Sequence, residues 1–277
     1  MEAPAMDMSD KTILITGSTD GVGRRVAERL ALTGAMVLVH GRDKPRAEHL
    51  LSTIRDAGGK AAFYPADLSS LDDVRSLADA IERDHTRLDV LINNAGIGTG
   101  GGNAKRELSR DGHELRFAVN YLAGFLLTRR LLPLLKASGH ARIVNVSSAG
   151  QQPIDFRDVM LTRDYSGARA YCQSKLAQVM FTLDLAEELA GSGVTANCLH
   201  PATYMDTTMV RQAGAAPIST VDQGADAILN LVAGSDTEGS SGLYYDGRRP
   251  SRANAQAYDA SARARLRTLS RDITGLA

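Results

Sequence analysis

The chain has 277 residues, enough for one large α/β domain, and its 32 basic and 32 acidic residues balance. Zero net charge, few aromatic residues and no tryptophan argue against a nucleic-acid partner or an acidic membrane surface. Cys172 and Cys198 lie far apart without metal-ligand spacing, so we expect reduced thiols and no metal. An apolar run of about 18 residues and an N-terminal signal pattern are both absent from the sequence. We therefore expect a soluble, cytoplasmic protein without a membrane anchor.

Short apolar runs rich in strand-forming residues alternate with amphipathic helical patterns along the chain. The predicted strands are Thr12–Thr16, Met36–His40, Ala61–Tyr64, Val90–Asn93, Arg142–Val146, Thr195–Leu199 and a late one near Gly242–Tyr245. The two longest predicted helices are Gly112–Ala137 and Ala168–Ala190. This alternation predicts an α/β fold with a doubly wound parallel sheet of about seven strands and helices on both faces. We expect a single domain over residues 1–277, with residues 1–10 flexible and residues 248–277 forming a C-terminal extension of loop and surface helix.

A glycine-rich loop follows the first predicted strand and precedes the first helix. Its sequence is Thr16-Gly17-Ser18-Thr19-Asp20-Gly21-Val22-Gly23. The three glycines allow a tight turn and a close backbone approach, and they leave the amides of the helix N-terminus aimed at an anion. A plain turn is the alternative, but the position between strand and helix favours a pyrophosphate. We predict that residues 17–23 bind a dinucleotide.

The end of the second strand predicts which dinucleotide is bound. An NAD enzyme would carry an acidic residue near Gly41, to accept from the ribose 2′-hydroxyl. Arg42 instead suits a 2′-phosphate, so we predict NADP(H) in preference to NAD(H), with a solvated surface charge as the alternative for Arg42. Asp20, inside the loop, argues mildly against a nearby phosphate. Asp67 and Leu68 are predicted near the adenine, although Asp67 would serve equally near the start of the next helix.

Tyr171 and Lys175 lie four residues apart in a predicted helix and therefore share one face. A phenol has an ordinary pKa of about 10, and one positive charge about 4 Å away would bring it near neutrality at an effective dielectric of about 20. Such a tyrosine would act as a general acid/base. For the pair alone, a surface lysine beside a half-buried ring is the alternative.

Three further motifs stand in order around this pair. They are Asn93-Asn94-Ala95-Gly96 at the end of the fourth strand, Asn120 in the long helix, and Ser147-Ser148 at the end of the fifth strand. Together with the glycine loop and the Tyr–Lys pair, they resemble the short-chain dehydrogenase/reductase family over nearly the whole chain. The runs most similar to its retinol-dehydrogenase-like branch are Ile143–Ser148, Ala170–Ala177, Gly193–Thr195 and His200-Pro201.

The resemblance implies a Rossmann-type fold, a nicotinamide cofactor and roles for individual residues. Tyr171 matches the general acid/base, and Lys175 matches the residue that lowers its pKa and bonds the nicotinamide ribose. Ser148 matches the donor that holds the substrate oxygen, and Asn120 the residue that anchors a water in the proton relay. The remaining residues expected along the cofactor are Asn94, Ala95, Gly96, Pro201 and Thr203.

These roles also suit hydride transfer to a carbonyl, because the developing alkoxide needs a proton donor and a second hydrogen bond. Simpler roles remain as alternatives: Ser148 would cap a turn, and Asn120 would satisfy a kinked backbone.

Two features depart from the family pattern. Ala202 follows Pro201 where the family usually has glycine, and alanine loses easy access to positive φ. The Thr-x-Met pattern is shifted to Thr207-Thr208-Met209, which leaves open whether Thr203 or Thr207 binds the carboxamide.

The long segment Gln151–Gly167 separates Ser148 from Tyr171. We predict that it forms part of the substrate wall, and a surface excursion with one apolar anchor is the alternative. The predicted wall residues are Pro153, Ile154, Phe156, Met160 and Tyr165.

We predict an NADP(H)-dependent oxidoreductase that interconverts a ketone or aldehyde and an alcohol, with a lipophilic substrate implied by the resemblance. The alternatives are a redox-neutral enzyme, such as an epimerase or dehydratase, and a non-catalytic dinucleotide sensor. A sensor would need only the glycine loop. The two long helices carry more apolar residues than one buried face needs, Phe125 and Phe181 among them, so we also predict a homodimer or homotetramer.

Overall fold

The computed structural model describes residues 8–102 and 104–276, which contain one eight-stranded sheet in the order β3-β2-β1-β4-β5-β6-β7-β8. The strands are β1 (Thr12–Ile15), β2 (Met36–Gly41), β3 (Lys60–Pro65), β4 (Val90–Asn93), β5 (Ala141–Val146), β6 (Val194–His200), β7 (Tyr244–Asp246) and β8 (Arg249–Ser251). All neighbouring pairs are parallel except β7 and β8. The predicted doubly wound parallel sheet is confirmed, with one strand more than expected.

The eighth strand lies in the extension that we predicted as loop and helix. The chain reverses at Gly247, whose φ of 59° lies in the left-handed region, and Asp246 then pairs with Arg249 across the turn. A three-residue strand is too short to show an alternating pattern, so the sequence did not reveal it.

Helices cover both faces of the sheet. They are α1 (Gly21–Ala31), α2 (Lys44–Asp56), α3 (Leu71–Asp84), α4 (Leu115–Phe117), α5 (Ala123–Ala137), α6 (Gly167–Glu188), α7 (Thr208–Gln212), α8 (Val221–Ala233) and α9 (Ala260–Thr274). Ile13 and Ile15 point to the layer of α1, α2 and α8, whereas Leu14 points to the layer of α3, α5 and α6. Because successive side chains on a strand face opposite sides, a strand buried on both faces is apolar throughout.

The long helix predicted over Gly112–Ala137 begins later and is interrupted. Glu114 caps it, since its side chain accepts a hydrogen bond from the Phe117 N–H. A π-helical turn, Ala118–Leu122, joins α4 to α5 and contains Asn120. Such turns recur at functional sites, and apolar periodicity does not reveal them.

The C-terminal helix α9 packs against α6. Asp184 of α6 forms ion pairs with Arg263, at 3.2 Å, and with Arg267, and the Tyr121 hydroxyl lies 2.7 Å from the Ser270 hydroxyl. The apolar residues that suggested an oligomer are buried within the chain: Phe117, Leu122, Phe125, Leu126, Leu131, Leu176, Val179, Phe181, Leu183 and Leu185. Their number is therefore accounted for without a second copy.

At the N-terminus, residues 1–7 of the segment predicted to be flexible lie outside the described residues. Met8 is buried, and its N–H donates to the Thr33 carbonyl at 3.1 Å. Across the part of the chain that the structure describes, no helix combines the length and hydropathy needed to span a bilayer.

Candidate active site

The glycine loop is pressed against the end of β4. A Cβ at Gly17 would lie 2.8 Å from the Ala95 Cα, and one at Gly23 would lie 2.3 Å from the Asn94 Nδ2. Asn94 Nδ2 donates to the carbonyls of Thr16 at 2.8 Å and Gly17 at 3.1 Å, which fixes the loop to the strand. Glycine is thus required by close packing, and the loop presents bare backbone to the cleft.

Three side chains predicted in the dinucleotide site are used to build the loop. Ser18 is buried; its hydroxyl donates to the Ile15 carbonyl at 2.8 Å and accepts from the His40 N–H at 3.0 Å. Val22 packs in the core, and Thr19 packs against Gly41. Contact with a dinucleotide at these positions would therefore come from backbone groups.

His40 holds the glycine loop through a hydrogen bond, a role that the sequence did not suggest. Its Nδ1 accepts the Gly17 N–H at 3.0 Å. Burial lowers the pKa of His40 to about 4, so the ring is neutral at physiological pH and remains an acceptor.

Gly41, at the end of β2, lies against the Thr19 side chain. A Cβ at Gly41 would lie 2.7 Å from both Oγ1 and Cγ2 of Thr19. The next residue, Arg42, is 69% exposed and lies 3.6 Å from an oxygen of Asp67. The arginine is therefore accessible to a ligand beside this edge of the loop.

Asp20 caps α1 and forms a pair with a second arginine. One carboxylate oxygen accepts the Gly21 N–H at 2.7 Å, and the other lies 3.0 Å from Arg46 Nη1. The carboxylate occupies an amide that the loop would otherwise offer to an anion, and Arg46 compensates its charge. Sequence reasoning missed Arg46, although it falls at i+3 from Asp43, the residue that caps α2.

Asp67 sits at the carboxyl end of β3. Burial alone would raise its pKa, but hydrogen bonds from Ser69 and the nearby guanidinium groups of Arg42 and Arg110 lower it. Ser70, not Asp67, caps the following helix α3. Leu68 is buried beside it.

Ser148 and Tyr171 lie close together beyond the end of β5. A Cβ at Gly150 would lie 3.5 Å from Ser148 Oγ and 3.7 Å from Tyr171 Cε1. The Ser148 carbonyl is held by Gln151 Nε2 at 2.8 Å and by the Tyr244 hydroxyl at 3.2 Å. The serine is thus fixed in place beside the phenol.

The pKa of Tyr171 is raised from its ordinary value, mainly by burial, while the hydrogen bond with Ser148 acts in the opposite direction. This differs from the acidified phenol that the sequence predicted. The reason lies in Lys175, whose Nζ is 5.7 Å from the centre of the tyrosine ring and is turned toward other partners.

Lys175 donates to the Val146 carbonyl and to Gln178 Oε1, both at 2.9 Å. Burial lowers its pKa to about 7, so its charge is disfavoured where it lies. Sequence reasoning missed Gln178, which is itself buried; its spacing of i+3 from Lys175 was the available signal.

Asn120 links the loop after β4 to α6. Its Oδ1 accepts the Ile97 N–H at 2.8 Å, and its Nδ2 donates to the Ile97 carbonyl at 3.1 Å and the Ser174 hydroxyl at 2.9 Å. A Cβ at Gly96 would lie 3.3 Å from Asn120 Oδ1 and 3.5 Å from Lys175 Nζ. The side chain is engaged in structure, and its role in anchoring a water stays a prediction.

The segment after β6 lies across the cleft. Thr207 approaches the glycine loop, since a Cβ at Gly21 would lie 3.3 Å from Thr207 Cγ2. Met209 approaches the loop after β4, since a Cβ at Gly98 would lie 2.9 Å from Met209 Cγ. Positive φ falls at Tyr204, at 44°, and not at Ala202. The loop therefore turns two residues later than the usual glycine position.

The first residues after β6 make a local contact. Pro201 is buried, and the exposed residue Thr203 has its hydroxyl 2.9 Å from His200 Nε2.

Part of the Gln151–Gly167 segment is anchored to the C-terminal extension. Ile154 is buried, and Gln256 bonds both its N–H, at 2.6 Å, and its carbonyl, at 3.1 Å. The Arg265 guanidinium lies over the ring of Phe156, with its Cζ 4.5 Å from the centre of that ring. Of the predicted wall residues, Pro153 is exposed, Met160 packs against the core, and Tyr165 lies at the start of α6.

Comparison with known proteins identifies the family of this chain. The sequence model described as short chain dehydrogenase matches residues 11–217. The chain belongs to the short chain dehydrogenase family. It is 35% identical to mouse retinol dehydrogenase 13, over 96% of this chain and 84% of that protein.

Solved structures agree with this membership. An uncharacterized protein from Mycobacterium paratuberculosis superposes with a TM-score of 0.81 at 32% identity, covering 98% of this chain and 95% of its own. A short chain dehydrogenase from Escherichia coli CFT073, complexed with NADPH, has a TM-score of 0.74 at 27% identity, covering 89% and 100%.

The residues of this dehydrogenase fit the nicotinamide dinucleotide that its family uses. In the loop between β1 and α1, a Cβ at Gly17 or Gly23 would collide with Ala95 or Asn94, so the loop lies this close to the strand ends only as bare backbone. It lies at the carboxyl ends of the parallel strands, beside the point where the order reverses from β1 to β4. The dinucleotide would be held by the backbone of this loop and of Asn94–Gly96, with Tyr171 and Lys175 at the far end.

Proposed function

We propose that the chain is an NADP(H)-dependent oxidoreductase that interconverts a ketone or aldehyde and an alcohol, with Tyr171 as general acid/base. The observation that carries the proposal is that Ser148 Oγ and the Tyr171 ring lie close together at the carboxyl end of the sheet, with the buried Lys175 one turn further along α6. Ligands of open α/β sheets bind at this end, so the pair faces the expected crevice.

The dinucleotide would supply hydride to the carbonyl carbon, and the chain would manage charge on the oxygen. Tyr171, kept protonated by burial, would transfer its proton to that oxygen as negative charge develops. Ser148 would donate a hydrogen bond to the same oxygen. Lys175, whose pKa is about 7, is suited to return a proton toward Tyr171 at neutral pH.

The preference for NADP(H) is supported by the charge at the end of β2. Position 41 holds glycine, so the acidic residue typical of NAD sites is missing there. The Arg42 guanidinium, 69% exposed, follows it and suits a 2′-phosphate, while Arg46 offsets the charge of Asp20.

A lipophilic substrate is supported by the names of the relatives and by the segment that crosses the cleft. Three of its side chains are apolar and exposed: Tyr204, Met209 and Ile218. An apolar ligand entering beside them would bury this surface.

Replacing Tyr171 with Phe tests the assignment of the acid. We expect carbonyl turnover with NADPH to fall by about 10²-fold or more while NADPH binding, measured by fluorescence titration, is retained. Tyr64→Phe, which removes a hydroxyl bonded to Asp84 at 3.1 Å, is the matched control. Unchanged turnover by Tyr171→Phe would refute the assignment. NADPH binding without any carbonyl turnover by the unmodified protein would favour a sensor, and a nucleotide that never dissociates would favour a redox-neutral enzyme.

A further inference from the structure

A buried arginine in α4 joins two loops that flank the cleft. Arg116 is 4% exposed. Its Nε donates to the Gly98 carbonyl at 2.8 Å, Nη2 to the Thr99 carbonyl at 3.0 Å, and Nη1 to the Tyr165 hydroxyl at 2.7 Å. Gly98 and Thr99 follow β4, whereas Tyr165 precedes α6, so one guanidinium spans two distant parts of the sequence.

The charge of Arg116 is balanced by Glu114, which is 1% exposed. One Glu114 oxygen accepts the Phe117 N–H at 2.7 Å, and the other accepts the Tyr165 hydroxyl at 3.1 Å and lies 3.7 Å from Arg116 Nη1. Burial and the neighbouring carboxylate raise the pKa of Tyr165 to about 12. The phenol therefore stays protonated, donating to Glu114 and accepting from Arg116. A buried ion pair is tolerated when its hydrogen bonds are satisfied in this way.

The two joined loops are packed without spare space. A Cβ at Gly167 would lie 1.9 Å from the Thr99 carbonyl oxygen, and one at Gly100 would lie 2.4 Å from Arg116 Nη2. The loop after β4 runs from Gly96, beside Lys175, to Gly98, beside Met209. The network therefore sets the position of the backbone that passes between the catalytic lysine and the segment across the cleft.

We propose that Arg116, Glu114 and Tyr165 form a clamp of positioning residues that sets the opening of the substrate cleft. The clamp holds the loop at residues 97–102 against the start of α6, which carries Tyr171. This proposal rests on the proposed oxidoreductase function for its kinetic consequence, and its structural consequence is independent of that function. Among the described residues, the hydrogen bonds and ion pairs of these three side chains do not reach the glycine loop or residues 94–96, so we expect cofactor affinity to change little.

Tyr165→Phe tests the clamp, because it removes the shared hydroxyl and keeps the ring. We expect amide hydrogen exchange at residues 97–102 to accelerate by about tenfold or more, since hydrogen bonds to charged groups are lost. We expect KM for a lipophilic ketone to rise by a similar factor, with kcat changed by less than about threefold and NADPH affinity unchanged. Tyr64→Phe, which removes a hydroxyl bonded to Asp84 at 3.1 Å, is the control and should leave all four quantities unchanged.

Two outcomes would overturn the proposal. Unchanged exchange at residues 97–102 in Tyr165→Phe would show that the network does not hold the loop. Accelerated exchange with an unchanged KM would show that the loop does not set the opening. If Tyr171→Phe retains full turnover, the oxidoreductase proposal fails while the exchange measurement still decides the clamp. Arg116→Lys adds a second test: a lysine donates from a single nitrogen and cannot reach three acceptors that are now served by three separate guanidinium nitrogens, so it should reproduce the accelerated exchange.

Discussion

Lys175 is a buried ammonium that donates hydrogen bonds to two neutral oxygens, the Val146 carbonyl and Gln178 Oε1. Such burial disfavours the charged form, and the pKa falls from 10.5 to about 7. A residue kept in this state lowers the stability of the fold, which is typical of functional sites.

We predict that Lys175→Met stabilises the protein without cofactor at pH 6. Between pH 7 and 10.5 the unfolded chain binds more protons at this residue than the folded protein does. The loss of stability caused by burying the ammonium is therefore full below pH 7 and decreases as the pH rises through this range. Removing the buried ammonium should raise the free energy of unfolding by roughly 3–5 kcal/mol. About 1–3 kcal/mol of this gain is lost because two oxygens are left without a hydrogen-bond donor. Urea unfolding at pH 6 and pH 10 measures the difference, with the exposed Lys136→Met as control. Equal effects of Lys175→Met at both pH values would contradict the prediction.

The junction of three elements, the β4 loop, α4 and α6, shows how backbone contacts position side chains. Asn120 bonds the Ile97 backbone and Ser174, and Arg116 bonds the two carbonyls that follow. The π-helical turn between α4 and α5 places Asn120 in this role. The helix that carries Tyr171 is thereby fixed relative to the loop after β4.

Gly167→Ala is expected to strain this junction. The new methyl group would lie 1.9 Å from the Thr99 carbonyl oxygen, so either the loop or the start of α6 must move. Overpacking of this kind costs about 1–3 kcal/mol, and more where backbone blocks the way. Chemical denaturation measures the loss. Gly102→Ala, where nothing lies within 4 Å of the added atom, should be nearly neutral, and an equal loss in both variants would count against the prediction.

At the scale of the whole molecule, the C-terminal extension completes the core on one face. Arg263 and Arg267 pair with Asp184, and Leu266 is 1% exposed between α9 and α6. The same extension holds Ile154 through Gln256 and so supports the segment that leads to Tyr171. The homodimer or homotetramer stays a prediction for light scattering, since the residues that suggested it are buried within the chain.

We predict that Leu266→Ala lowers the free energy of unfolding by roughly 2–5 kcal/mol, because it opens a cavity under α9. Thr268→Ala, on the exposed side of the same helix, is the control for helix propensity. Thermal and chemical unfolding measure both variants. A loss below about 0.5 kcal/mol for Leu266→Ala would mean that α9 is not part of the cooperative core.

The strand–helix order and the glycine loop could be predicted from the sequence because each depends on local chemistry. Apolar periodicity reports which residues face a core, and glycines at 17, 21 and 23 report a backbone that must approach closely. The order of Ser148, Tyr171 and Lys175 likewise identified the candidate site.

The partners of those residues were decided only by the tertiary structure. The Lys175 ammonium donates to the Val146 carbonyl. Tyr165 contacts Glu114 and Arg116, which lie 51 and 49 residues before it in the sequence. Apolar residues on α5 and α6 are covered by α9 from the far end of the chain. Sequence spacing carries no information about which distant groups meet in a low-dielectric interior, and those meetings set the pKa values and the shape of the cleft.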